Sequence, residues 1–443
     1  MITSESPSAP DEQGRDERSQ PAAGRHRRGR VAAAAATAAM LTALPAALTG
    51  CGSASSTANA ASGGACPSPG VSGNTIKIGL VYSDSGSQYA DTFRAVRSAV
   101  DARVGLQNAA GGIHGRQVQV VWRDDHADPG IFRGDAQQLV NVENVFGLIV
   151  ESTAARPTLQ WLEDNGVPAT GVAVGADPAQ YTNLFSYKSI FSGQNARVDT
   201  FGQYVRAGGG TKAFVISDPT TPSAASLVAA FVPSLQSQGV QIVGQIDYVH
   251  GPATPAHIVD LMRRAGADTL VGVVTADDFA DVSAAAKAAG LPLKVALSAA
   301  GYDQGLIAER GRALAGTSMI LQYTPFEQAS PAMTAYHQAM ATYSPELPNP
   351  DSEAPLSAYV STDEMLKGLD LAGDCPTRSG FVEGLRKVAD YDAGGLIPPT
   401  DLANPSAPAT CFTFVKANAA GTAFASVPPP AGDGGFWCGR PLA

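Results

Sequence analysis

From residue 75 onward the chain alternates two hydrophobic rhythms. Residues 75–82 form a β-branched apolar run, residues 89–108 carry apolar positions over a helix length, and residues 117–124 return to a strand pattern. Asp128 followed by Pro129 marks the next helix start. The Asp side chain accepts the free N–H groups of a first turn, and Pro lacks an N–H that would be unsatisfied there anyway. A strand at 146–150, a helix at 155–165 and a strand at 167–172 complete a βαβαβ order. That order predicts a parallel, doubly wound α/β sheet with right-handed crossovers.

The rhythm then repeats. After an extended link at 187–191, a second α/β lobe is predicted from residue 192: strands at 212–216, 241–248 and 269–274, helices at 224–238, 255–265 and 277–289. Gly208, Gly209 and Gly210 precede a strand, so they read as a helix-to-strand turn; a dinucleotide-binding turn must follow a strand. Helical patterns at 332–342, 358–372 and 379–388 have no sheet of their own to cover. They are expected to pack back on a lobe, which implies more than one crossing between lobes. Residues 411–416 and 422–427 read as a hairpin closed by prolines at 428–430. The expected partition is a leader at 1–50, a tether at 51–74, a first lobe at 75–191 and a second at 192–318. Residues 319–395 return to the first lobe, and a hairpin and tail at 396–443 lie on the second.

Composition narrows the class. The 443 residues exceed the ~250–300 at which single cores stop growing, and 44 % hydrophobic with 16 % charged residues describe a globular chain. A net charge of −10 gives no basic footprint for nucleic acid. Ahead of the folded part, Arg25, Arg27, Arg28 and Arg30 precede an uncharged 18-residue run at 31–48, followed by Leu48-Thr49-Gly50-Cys51. That tetrad resembles the bacterial lipobox, which implies lipidation at Cys51, cleavage before it, and anchoring to the outer face of the cell membrane. Both general and twin-arginine export remain open. A Ser/Ala/Gly/Pro-rich stretch at 53–73 has the composition of a flexible tether.

With Cys51 assigned to lipid, Cys66, Cys375, Cys411 and Cys438 remain, an even number suited to two disulfides in an oxidising compartment. Three connectivities are open. The preferred one joins Cys375 to Cys411 and Cys66 to Cys438. No close Cys-x2-Cys pair favours zinc, and no metal or cofactor is expected.

Residues 76–128 resemble the Leu/Ile/Val-binding branch of the type I periplasmic binding protein family. The resemblance rests on a strand IKIG, a Ser85-Gly86 turn, a long helix, then Asn108-Ala109-Ala110-Gly111-Gly112-Ile113 with Gly115, and a strand ending in Asp124-Asp125. It continues through the loop 152–157 and to Val174. What it implies is a two-lobed clamshell with three crossings, closing on a small molecule and delivering it to an ABC permease. Ligand contacts are then expected from Ser85, Gly86, Ser87 and Tyr89 in the first loop, and from Ser152 and Thr153 after the third strand. Ala173, Gly175, Thr275, Asp277 and Tyr302 complete the set. Ser152 matches the family's hydroxyl donor to a ligand carboxylate. The family's acidic partner for a ligand ammonium falls on Ala300, so that charge is missing unless Asp277, Asp278 or Asp303 supplies it.

Two rival classes stand beside a transport receptor. One is a ligand-sensing lipoprotein without a permease; the other is an exported α/β enzyme, for which no G-x-S-x-G, G-x-x-x-x-G-K-[ST] or H-E-x-x-H signature occurs. The paired acids Asp124-Asp125 and Asp277-Asp278 are no dyad by sequence, because neighbouring side chains point apart.

Overall fold

The computed structural model describes residues 66–86, 90–187, 197–220, 224–249, 251–430 and 435–442. The leader, Cys51, most of the tether, Ser87 and Tyr89 lie outside these residues.

The first lobe runs β1 (Thr75–Tyr82), α1 (Ala90–Phe93), α2 (Val96–Ala109), β2 (Gln117–Asp124), α3 (Pro129–Asn141), β3 (Leu148–Ser152), α4 (Leu159–Asp164), β4 (Ala169–Ala173) and β5 (Leu184–Phe185). Its strands are parallel, in the order β2-β1-β3-β4-β5. Asp128 caps α3 as its sequence demands, its side chain accepting from Gly130 N at 2.7 Å and Ile131 N at 2.9 Å. The glycine turn between α2 and β2 also follows from sterics. Gly112 has φ +78°, and a Cβ there would lie 1.9 Å from the Arg116 carbonyl oxygen.

The second lobe repeats this plan with α5 (Thr200–Ala207), β6 (Lys212–Ser217), α6 (Ala224–Ser237), β7 (Gln241–Asp247), α7 (Pro255–Ala265), β8 (Thr269–Val273), α8 (Ala276–Ala288), β9 (Val295–Ser298), α9 (Gln304–Leu314) and β10 (Ser318–Leu321). The parallel order β7-β6-β8-β9-β10 is the first lobe's order again. Three helices follow, α10 (Pro331–Tyr343), α11 (Glu353–Leu371) and α12 (Arg378–Leu385). The first two pack on α2, and α11 also lies across β3 and β4. The chain then re-enters the second sheet as β11 (Cys411–Ala417), antiparallel to β10, with β12 (Phe424–Ser426) and β13 (Trp437–Cys438) paired to it.

Four sequence expectations change. The run at 89–108 is broken at Arg94 and Ala95 into α1 and α2. The strand expected at 146–150 lies two residues later, at Leu148–Ser152, because its register is set by pairing Leu148–Glu151 with Gly79–Tyr82 of β1. The return to the first lobe begins after Leu321, since β10 completes the second parallel sheet. The disulfides join Cys66 to Cys375 and Cys411 to Cys438, in place of the preferred pairing. Cys411 and Cys438 are direct partners on β11 and β13, so strand register decides that bond. Cys375, just beyond α11, meets the chain entering β1, where Cys66 Sγ also lies 3.7 Å from the Asp374 carbonyl oxygen.

Candidate functional site

An open parallel sheet binds ligands outside the carboxyl ends of its strands, where the strand order reverses. This molecule has two such points, between β1 and β3 and between β6 and β8.

At the first, β1 delivers Ser83 and β3 delivers Ser152 and Thr153. Ser83 Oγ accepts from Thr153 N at 3.3 Å and lies 3.5 Å from the hydroxyls of both Ser152 and Thr153. Ser152 donates to Asp125 Oδ2 and accepts from Ala154 N at 2.9 Å; Asp125 Oδ1 also accepts from Ala127 N at 2.8 Å. Ser83, Asp125 and Ser152 are all 0 % exposed. The Ser152 hydroxyl, expected to meet a ligand, is thus turned inward, because Ser152 ends a strand rather than opening a loop. Thr153 is the partly exposed hydroxyl of this pair.

The first loop hangs on Asp124. Its Oδ1 accepts from Asp84 N at 3.0 Å, Ser85 N at 3.2 Å and His126 N at 2.9 Å, and its Oδ2 accepts from Ser85 Oγ at 2.6 Å. Burial alone would raise this carboxyl; the hydrogen bonds from Ser85 and the His126 N–H outweigh it and hold the group below its ordinary value. Gly86 sits at φ +80°, where a Cβ would come within 2.0 Å of the His126 carbonyl oxygen, so no other residue fits. Ser85, His126 and Asp124 resemble a nucleophile relay only by composition. Ser85 Oγ and Asp124 Oδ2 both face the same ring atom, His126 Nδ1, whereas a relay uses the two nitrogens on opposite sides of the ring. At the end of β4, Ala173 is buried and Gly175 is exposed at φ +77°.

In the second lobe, exposed Thr275 caps α8, accepting from Asp278 N at 3.2 Å and donating to Asp278 Oδ2 at 2.7 Å. Asp277 pairs with Arg310 at 2.6 Å, and the other Arg310 nitrogen pairs with Asp281. Asp303 caps α9 by accepting from Leu306 N at 2.7 Å. Each acid that the sequence offered as an ammonium partner already accepts from a neighbour: Asp277 from Arg310, Asp278 from the Thr275 hydroxyl and Asp303 from the Leu306 N–H. Tyr302, at the β9–α9 loop, donates to Glu327 and accepts from Phe326 N at 2.9 Å. Burial, reinforced by the Glu327 carboxylate, pushes its phenol far above the ordinary range.

The structure thus gathers Ser85, Gly86, Ser152 and Thr153 at one switch point, with Thr275 and Asp277 at the other and Tyr302 in the neighbouring β9–α9 loop. Sequence reasoning missed Arg310 and Glu327, and named Asp125 without its bond to Ser152. The Asp124-Asp125 pair was visible and does point apart, one carboxylate to each ligand loop. A cavity of about 290 Å³ lies at the amino ends of β9 and β10, the end of the second sheet away from the switch point, beside Tyr204, Lys294, Ser318, Lys416 and Trp437. Among the described residues no three His, Cys, Asp or Glu side chains are grouped to hold a metal ion, and no helix is long and apolar enough to cross a membrane.

A family described as "Periplasmic binding protein" matches residues 75–422. No curated protein matches the chain. Solved structures do. A branched-chain amino acid transporter substrate binding protein from Streptococcus pneumoniae, in complex with isoleucine, is 19 % identical with a TM-score of 0.63, over 80 % of this chain and 100 % of that one. A fatty acid ABC transporter substrate-binding protein from Thermomonospora curvata is 18 % identical, TM-score 0.61, covering 81 % and 93 %. A solute binding protein from R. palustris in complex with benzoate is 16 % identical, TM-score 0.61, covering 80 % and 96 %.

Proposed function

The chain belongs to the periplasmic binding protein family, and from that premise we propose that it is an exported solute-binding lipoprotein of an ABC transporter. It captures a small carboxylate-bearing molecule between its lobes, hands it to a membrane permease and performs no chemistry on it. Cys51 carries the lipid that holds it to the outer face of the cell membrane. The observation that carries the reading is the doubled switch point: two parallel sheets of the same strand order, each ending in loops rich in hydroxyls and backbone N–H groups.

The ligand class follows from what the loops offer. Isoleucine, benzoate and a fatty acid, the compounds named for the similar structures, share a carboxylate, and two of the three lack an ammonium. Here Ala300 stands where the family's acid falls, and Asp277, Asp278 and Asp303 are engaged by Arg310, Thr275 and the α9 first turn. A buried ammonium without a partner costs several kcal/mol. Carboxylates without an α-ammonium therefore bind best, and branched-chain amino acids bind poorly.

A thermal-shift screen of residues 52–443 against carboxylates, amino acids and sugars tests this. A ligand at ~100 times its dissociation constant adds ~2.7 kcal/mol of stability, a shift of several degrees. Leucine, isoleucine or valine giving the largest shift would overturn the ligand class; no shift from any compound would overturn the receptor. The anchor has its own check. A Cys51→Ala chain stays unprocessed and takes up no fatty-acid label, and labelling of that variant would remove the lipobox reading.

A further inference from the structure

The second crossing between lobes, residues 322–330, leaves β10 of the second sheet and leads into α10 on the first lobe. It is tied to the third crossing, the chain between α12 and β11, by Thr324, whose N–H donates to the Leu396 carbonyl and whose hydroxyl donates to the Gly395 carbonyl, both at 2.8 Å. Beyond Thr324 the chain turns, with Gln328 N donating to the Pro325 carbonyl at 2.9 Å. That turn is gripped from the second lobe. Tyr302 accepts from Phe326 N and donates to Glu327, while Gln304 Nε2 donates to the other Glu327 oxygen at 3.1 Å.

The Tyr302 ring also belongs to a continuous line of aromatic contacts. Phe424 of β12 meets Tyr302 edge-on at 5.0 Å, Tyr302 stacks on Phe326 at 5.7 Å, Phe326 reaches Tyr336 of α10 at 6.4 Å, and Tyr336 meets Tyr359 of α11 at 5.1 Å. The line runs from the second sheet to the helices covering the first. Immediately before the gripped turn, Gln322 Oε1 and the Tyr323 hydroxyl are buried with no hydrogen-bond partner among the described residues. An unpaired buried polar atom is costly, so a change of backbone at residues 322–324 would meet little polar resistance from these two side chains.

We propose that Tyr302 is the latch of the interlobe hinge: its hydroxyl fixes the second crossing to the second lobe, and releasing it lets residues 322–324 turn into a second arrangement. Tyr302 is then a positioning residue rather than the ligand contact its sequence position implied. The proposal does not depend on which ligand the cleft takes.

The test needs no ligand. In the processed full chain, spin labels attached by non-cysteine chemistry at the exposed positions Asp164 and Arg264 report the distance between lobes. Tyr302→Phe keeps the ring and loses both hydrogen bonds; it moves population away from the parent distance and broadens the distribution. Glu327→Gln gives a smaller change in the same direction, and the double variant gives no more than Tyr302→Phe alone, because both act through one hydroxyl. A melting temperature that falls while the distances stay unchanged assigns Tyr302 a packing role and overturns the latch. Should Tyr302→Phe fail to fold, an unchanged distribution in Glu327→Gln overturns it equally.

Discussion

Asp124 and Glu364 are both removed from bulk water, yet their carboxyl groups move in opposite directions. Asp124 is met by three N–H groups and a hydroxyl, so its charged form is held. Its contribution to stability is present above the unfolded carboxylate value and lost as pH falls through its lowered folded one. Asp124→Ala leaves those donors unmatched and costs about 1–3 kcal/mol, read as a lower melting temperature, with the first loop loosened for ligand. Glu364 of α11 is 0 % exposed, with neither oxygen hydrogen-bonded among the described residues, and burial pushes it up to about 8, against a smaller opposing pull from Arg386. The folded chain then holds a proton that the unfolded chain releases between about pH 4.5 and 8, so stability declines across that window. Glu364→Gln abolishes the decline: melting curves of parent and variant converge near pH 4.5 and separate in the variant's favour by pH 8. Parallel curves at all pH values would show that Glu364 does not titrate there.

At the scale of elements, close approach rather than propensity sets several positions. Gly311 of α9 abuts the β11–β12 turn so tightly that a Cβ would lie 1.8 Å from the Gly421 carbonyl oxygen. Gly311→Val drives the helix off the hairpin and costs about 1–3 kcal/mol by overpacking, measurable by thermal or denaturant unfolding. No sequence period announces that contact. What was legible in the sequence was what local physics dictates: the β1 and β2 strands, the Asp128-Pro129 helix start, and the repeated strand–helix alternation. The end of β3 was not legible, because Phe146 to Ser152 is apolar enough for several registers and only pairing with β1 chooses one. That two-residue slip turned Ser152 from a loop hydroxyl into a buried partner of Asp125. At the candidate site the loops were legible from their strands. The partners that already occupy Asp277 and Tyr302 were not, since Arg310 and Glu327 lie 33 and 25 residues away.

For the whole molecule, the hydrophobic core is continuous from the first lobe through Tyr323, Phe326 and Tyr336 into Met319 and Leu321 of the second. The two disulfides act at different reach. Loop-closure entropy gives roughly 3.5 kcal/mol for a separation of 27 residues and roughly 5.7 kcal/mol for 309. Non-reducing peptide mapping of the exported protein is expected to return Cys66–Cys375 and Cys411–Cys438; any crossed pair would contradict the strand register at β11 and β13. Paired Cys→Ser replacements should lower stability more for the first bond than for the second.

On the proposed lipidation of Cys51, the Cys66–Cys375 bond also decides which part of the molecule is moored. With lipid at Cys51, 15 residue steps separate the bilayer from a fixed point on the first lobe, a leash of at most ~50 Å. Cys375 follows α11, which packs on β3 and β4, so the proposed mooring point belongs to the first lobe. Such a leash would confine the protein to a thin shell above the membrane. On the same proposal a permease in that membrane would be met by a search over a surface, at a local concentration set by the number of anchored copies per area divided by the leash length.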